Sequence, residues 1–262
     1  MSDYREVHHG FDTLNKFFSN EASKQEFYET LNGCGDSLAE QAIGIFNEWW
    51  VDTQLQTYIT SISEHKDSED SHGRLSMWRA FGRTAARVAL VFRLPLSSGA
   101  AGALNIIVSP VAYFTDAEFV AEISRALASI RENRDFLRTL DRQRLVNLAF
   151  SMILTAVTCQ KHEGFQEERE WRVLHSPKRN PSPLIVSSLE TIDGVPQLIY
   201  KLPIDTSISV DVTGIDITDM FDRVIIGPTP YGAAMHAAFV TALAGVGVKD
   251  PRVVISGIPI RT

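Results

Sequence analysis

Two separated segments of this chain gather residues that can do chemistry. The first is Tyr58-Ile59-Thr60-Ser61-Ile62-Ser63-Glu64, followed by Leu75-Ser76-Met77-Trp78-Arg79-Ala80-Phe81-Gly82. The second is Phe165-Gln166-Glu167-Glu168-Arg169-Glu170-Trp171-Arg172. The first gathers hydroxyls, a carboxylate, a guanidinium and a Trp, and the second carboxylates, guanidiniums and a Trp, each at the edge of a predicted strand. On a strand, side chains alternate, so Glu168 and Glu170 share one face, with Arg169 and Trp171 opposite. Neighbouring carboxylates repel unless a cation or a substrate sits between them, and one can then titrate above its usual range. A strand-borne Glu can polarise a sugar hydroxyl or stabilise an oxocarbenium-like centre. The structural alternative is a solvated edge, with Arg169 and Arg172 as ion-pair partners.

Ser61 and Ser63 share a face and Thr60 leaves the other. Small hydroxyls there leave room for a ligand and donate hydrogen bonds, or simply end a strand. Trp78 and Phe81 lie at helical spacing, so at least one is expected in a core. Arg79, between them, can grip a phosphate or pair with Glu170. Asp67, Glu69, Asp70 and His72 lack calcium-loop spacing and read as a solvated loop. His8-His9 reads as a surface pair. Gly227-Pro228-Thr229-Pro230-Tyr231-Gly232 precedes a helix but has neither Walker nor dinucleotide spacing. A nucleophile elbow of the Gly-x-Ser-x-Gly kind is absent.

The elements that must position these residues follow from periodicity. Residues 11–50 read as helical, broken at Gly33-Cys34-Gly35-Asp36, with Asp36 capping the second helix. Residues 55–63 read as a strand and His65 to Gly73 as a loop. Leu75 to Thr84 reads as a short helix. Arg87 to Leu94 is a strand stopped by Pro95, apolar enough to be buried on both faces. Ser97 to Gly102 is a loop, and Leu104 to Phe114 a strand bent at Pro110. Asp116 and Asp141 cap two amphipathic helices, with Phe119, Ile123, Leu127 and Ile130 on one and Leu145, Leu148, Met152, Ile153 and Val157 on the other. Trp171 to Leu174 is a strand, followed by a basic, Pro-rich loop from Ser176 to Pro183. A hairpin turns at Asp193-Gly194 between Leu184–Leu189 and Gln197–Leu202. Val224 to Pro228 is a strand ending in a turn, Tyr231 to Ala244 a helix, and Val253 to Ile260 the last strand. This order predicts an α+β fold, with a mixed, mainly antiparallel sheet flanked by helices, in a single domain over 1–262.

The chain has 262 residues, 44% hydrophobic and 22% charged, a normal mix for a globular core. Its net charge of -7 argues against nucleic-acid binding through a global field. Apolar runs are too short to cross a bilayer, and the polar start is unlike a signal peptide. The two cysteines, Cys34 and Cys159, lack metal spacing; a reduced, cytoplasmic setting with both thiols buried is expected.

The motifs together resemble a bacterial domain family of unknown function, DUF2971. The resemblance rests on Tyr58-x-x-Ser61-x-Ser63-Glu64, Leu75-Ser76-x-Trp78-Arg79-x-Phe81-Gly82, and Val88 to Phe92. It continues through Lys161-x-x-x-Phe165-x-Glu167-Glu168-x-Glu170-Trp171-Arg172, Ile225-Ile226-Gly227-Pro228, and Val254-x-x-Ser256-x-Ile258-Pro259-x-Arg261. Asp3-Tyr4-Arg5-Glu6-Val7-x-x-Gly10 is similar to the family's entry segment. Since Met1 falls almost on it, the chain is expected to lack an N-terminal piece found in relatives.

The layout is similar to ADP-ribosyltransferase-like folds, which pair a Ser-rich strand with a Glu-x-Glu strand. That analogy implies Glu170 as the catalytic glutamate with Glu168 beside it, and NAD as a substrate. Ser61, Ser63, Trp78, Arg79 and Arg172 would bind the substrate. Two functions therefore stand: an NAD-using transferase or glycohydrolase in a toxin or phage-defence setting, or a non-catalytic binding or sensor module with a structural Glu/Arg network. Hydrolysis of another glycoside by the same carboxylates is a third. The partner implied is a nucleotide-like small molecule, with neither a membrane nor a metal required.

Overall fold

The computed structural model describes residues 4–81, 87–94, 99–192 and 194–259. Gly82, Thr84, Pro95, Ser97, Asp193, Ile260 and Arg261, all named above, lie outside them. The first stretch of chain carries α1 (Tyr4–Ser19), α2 (Glu21–Asn32), α3 (Leu38–Gln56) and β1 (Tyr58–Ser63). The second carries α4 (Leu75–Phe81), β2 (Val88–Phe92) and α5 (Ala100–Ala103). The third carries β3 (Ile107–Pro110), α6 (Asp116–Glu132), α7 (Arg134–Leu137), α8 (Arg142–Thr158) and β4 (Glu170–His175). The last carries β5 (Val186–Ile192), β6 (Val195–Lys201), α9 (Ile217–Met220), β7 (Phe221–Ile226), α10 (Gly232–Gly245) and β8 (Arg252–Ile255). The fold is α+β, as its sequence pattern predicts. Among the described residues no helix is long and apolar enough to cross a membrane.

The backbone gathers into two compact units, each made of two stretches: residues 1–63 with 107–181, and residues 64–106 with 182–262. In the first unit, α1, α2, α3, α6 and α8 enclose one apolar core. Phe17, Phe27, Phe119 and Phe150 are buried in it, each worth about 2–3 kcal/mol of apolar burial. Phe11 stacks on Trp50 with ring centroids 3.9 Å apart. Gly10 lets α1 approach α8, since a Cβ there would meet the Val157 carbonyl oxygen at 2.0 Å. The helical region 11–50 is three helices, because Asn20 opens α2 by accepting from the Ser23 N–H. Ser37, rather than Asp36, sits at the start of α3, and Asn32 Oδ1 takes the Ala39 N–H. Thr115, one residue before Asp116, caps α6 in a box with Glu118, and Asp141 caps α8 as expected. Leu148 is exposed because α8 buries a double stripe, Leu145-Val146, Ala149-Phe150, Ile153-Leu154 and Val157-Thr158, leaving 148 opposite.

The first unit's sheet has the order β1-β4-β3, all antiparallel, with β4 central. The second unit has a sheet of order β2-β7-β8, antiparallel then parallel, and a separate β5-β6 hairpin. The strand buried on both faces is β7, where Val224, Ile225 and Ile226 are fully enclosed. β2 was the one expected there, but it lies at the sheet edge and exposes Leu90. Ala100–Ala103 is a short helix where a loop was expected, and packs Ala100 and Leu104 against Ile185 and Val212.

Candidate functional site

β4 brings the carboxylate cluster into being. In its register with β1, Ser61 opposes Arg172 and Ser63 opposes Glu170, so these residues share one face of the sheet. The Ser61 hydroxyl donates to Glu170 Oε1 at 2.5 Å. Arg172 Nε donates to the same oxygen at 2.9 Å, and Lys161 Nζ to Oε2 at 3.1 Å. The Arg172 guanidinium, 0% exposed, also donates to the Thr158 carbonyl. The Glu170 side chain is 5% exposed. Its backbone is fixed on both sides: its N–H donates to the Tyr113 hydroxyl at 2.8 Å, and its carbonyl accepts from the Val111 N–H at 2.8 Å.

Glu168 does not continue this strand. It ends a 3-10 turn, Glu163–Glu168, and Arg169 adopts a left-handed backbone (φ 46°) that swings the chain into β4. The alternation expected over 168–171 therefore fails, because period-two geometry begins only at Glu170. The two carboxylates nevertheless meet through a cation. Lys161 Nζ lies 2.6 Å from Glu168 Oε2 and 3.1 Å from Glu170 Oε2. The Ser63 hydroxyl donates to the Glu168 carbonyl.

Electrostatics run opposite to the expectation of a raised carboxylate. Burial is the largest single influence on Glu170 and pushes its pKa up. The Arg172 and Ser61 hydrogen bonds, with the charges of Arg172 and Lys161, outweigh it and bring the group below the ordinary glutamate range. Burial raises the Tyr113 hydroxyl and the Cys159 thiol. Both cysteines are free and buried.

Trp78 and Arg79 belong to the second unit. Trp78 is buried and donates its indole N–H to the His72 carbonyl at 2.8 Å, while Arg79 and Phe81 are exposed on α4. Of this pair Trp78 is the core residue. Gly73 (φ 65°) packs against its ring. The acidic loop is built in rather than merely solvated: Asp70 pairs with His65 at 2.7 Å and with Arg223, and Glu69 pairs with Arg74 at 3.5 Å. His8 and His9 are half-buried, not a surface pair, against Trp50 and His162.

Residues 77–173 match a family described as a protein of unknown function, DUF2971. Neither a curated protein nor a solved structure matches the chain. The matched stretch holds Trp78, Arg79, Lys161, Glu168, Glu170 and Arg172, whereas Ser61 and Ser63 precede it. It is narrower than the motif order suggested, since the segments at 3–10, 58–64, 225–228 and 254–261 fall outside it.

Lys161, Tyr113 and Thr158 complete the cluster without being candidates from sequence. Lys161 follows a helix end with no periodic signal. Its place is set by a short bridge in which the Ala112 N–H donates to the Cys159 carbonyl and the Lys161 N–H to the Ala112 carbonyl. A lone Lys seven residues before Glu168 is a faint hint, because nothing in the sequence says the chain doubles back.

Proposed function

We propose that the first unit is a non-catalytic binding module and that Lys161, Glu168, Glu170 and Arg172 form its structural charge network. The observation that carries this reading is the enclosure of Glu170 by its own protein: 5% exposed, with one oxygen held by Ser61 and Arg172 and the other by Lys161. A carboxylate that acts on a substrate must turn toward it in the transition state. This one is already satisfied, and it is stabilised as an anion. Removing a partner from a buried ion pair strands the other charge, which is the behaviour of a structural element.

The decisive comparison is Glu170→Gln against the unaltered chain, read by urea denaturation and by nicotinamide release from NAD. The module reading expects a loss of about 2–4 kcal/mol in stability and no nicotinamide from either protein. Release by the unaltered chain that disappears in a variant of unchanged stability would sink it.

One observation favours the second reading, an NAD-using ADP-ribosyltransferase or glycohydrolase. Ser61 is exposed, shares the face of Glu170 and donates to it. A serine at that position can orient a catalytic glutamate while leaving a ligand access from solvent. In that reading Ser61→Ala lowers kcat more than it lowers stability.

A further inference from the structure

The β1-β4 pair has a second polar cluster at its other end. Thr57 immediately precedes β1 and Ser176 immediately follows β4, and Tyr58 opposes His175. Along a strand, Thr57 lies roughly 13–20 Å from Ser61 and Ser63 at about 3.3 Å per residue, so this end is separate from the Glu170 cluster. Here the chain turns sharply: the Arg179 and Asn180 N–H groups both donate to the Ser176 carbonyl, at 3.1 and 2.8 Å. That turn, Ser176-Pro177-Lys178-Arg179-Asn180, presents two consecutive cations.

Arg179 is the unusual group. Its guanidinium carbon lies 3.3 Å from the centroid of the Phe150 ring, a fully buried side chain. Stacking covers one face of the guanidinium and does not use its in-plane N–H donors. Among the described residues no carboxylate pairs with it, and desolvation alone lowers its pKa. A small pocket of about 10 Å³ opens beside it, lined by Trp49, Thr57, Ser176, Lys178 and Arg179, with no carboxylate among its described lining residues. Lys178 Nζ lies 6.0 Å from the Trp49 ring centre. The Thr57 and Ser176 hydroxyls lie 3.3 Å apart. Only one can donate to the other, so one hydroxyl hydrogen remains to be given to a third group.

A cation held without a counter-ion, beside spare donors, in a chain of net charge -7 needs an anion. We propose that Lys178 and Arg179, with the Thr57 and Ser176 hydroxyls, form a binding site for a phosphate group. The planar fork of Arg179 matches two of its oxygens, and Lys178 stands next to it in the turn. The pocket holds about one water-sized atom, so it receives a terminal oxygen and leaves the rest of the ligand outside. Free phosphate and a phosphate monoester share that chemistry. The inference goes beyond the module reading and uses none of the residues on which that reading stands.

The test is a calorimetric titration of the intact chain with inorganic phosphate, and separately with a mononucleotide monophosphate, at constant ionic strength. Saturable binding of one phosphate per chain is expected. Tighter binding of the nucleotide identifies the monoester as the ligand, and equal binding identifies phosphate itself. Arg179→Met keeps the apolar cover on Phe150 and should weaken binding about tenfold or more, while Arg179→Lys, which keeps the charge but loses the planar fork, should weaken it by less. Lys24→Gln, remote in sequence and with a side chain 45% exposed, should bind like the unaltered chain. Absence of saturable heat, or equal affinity in Arg179→Met, overturns the site. Were that variant too unstable to titrate, Lys178→Gln decides, since its exposed side chain leaves the core alone. Unchanged affinity there also overturns it.

Discussion

In the first unit Glu170 lies between Arg172 and Lys161; in the second, Asp222 lies among Arg223, Arg93 and Arg252. Both carboxylates are buried and both have pKa values pulled down. For both, burial is the largest influence and acts upward, and it is overcome by Arg172, Ser61 and Lys161 around Glu170 and by Arg223 and Arg93 around Asp222. The cations differ. Arg172 is wholly enclosed and spends a donor on the Thr158 carbonyl, whereas Arg93 is 78% exposed and Arg252 57% exposed. The number of charges is therefore a poor guide to what a cluster contributes. What matters is whether each partner could return to water if the other were lost.

The strongest way to sharpen that contrast is Arg172→Met. It leaves Glu170 in a pocket with one cation fewer and the Thr158 carbonyl without its donor. A loss of about 3–5 kcal/mol in the free energy of unfolding is expected from urea denaturation, with a parallel fall in melting temperature. A loss below about 1 kcal/mol would put the first unit's cluster in the same class as the second's.

The next effect is seen in acid. Glu170 titrates lower in the folded chain than in the unfolded one, so it adds stability above the unfolded glutamate value of about 4.3. That contribution disappears as pH falls through the lower, folded value. Stability curves from pH 7 to pH 2 should therefore fall below about pH 4, and Glu170→Gln should flatten that fall. Asp222 works in the same direction, so some acid sensitivity survives in Glu170→Gln. An identical acid limb in the variant and the unaltered chain would remove Glu170 from the account.

Much of the fold was legible because the helices of the first unit repeat their apolar residues with period 3.6. Leu14, Phe17, Phe119, Ile123, Leu127, Ile153 and Val157 are all in its core. β1 was legible from its Thr, Tyr and Ile content, and the meeting of Ser61 with Glu170 followed from the fold analogy alone. The role of Lys161 was hidden, because it depends on residues 112 and 160 bridging across nearly fifty positions of sequence. Glu168 was misread for a local reason: a single left-handed residue, Arg169, ended one element before the next began. Edge and centre were also exchanged for β2 and β7, since both are apolar runs and only pairing order distinguishes them.

Asp222→Asn tests the second unit directly. It weakens three contacts at once, to Arg223 at 2.5 Å, Arg93 at 2.7 Å and Arg252 at 3.8 Å. Two of the three cations simply rehydrate, and Arg223 keeps Asp70. A loss of about 1 kcal/mol is expected, clearly smaller than in Arg172→Met.

Arg93→Gln is the smallest and the most discriminating. Its guanidinium makes a 2.7 Å pair with Asp222, a shorter contact than the 2.9 Å between Arg172 and Glu170. If distance set the energy, Arg93 would be the more costly to lose. Its 78% exposure says otherwise, because water already hydrates the guanidinium, Asp222 keeps its pair with Arg223, and no long side chain has to be held in place. The change in unfolding free energy should stay within about 0.5 kcal/mol, and should shrink further as salt is raised. An effect approaching that of Arg172→Met would mean that geometry, not burial, separates the two clusters.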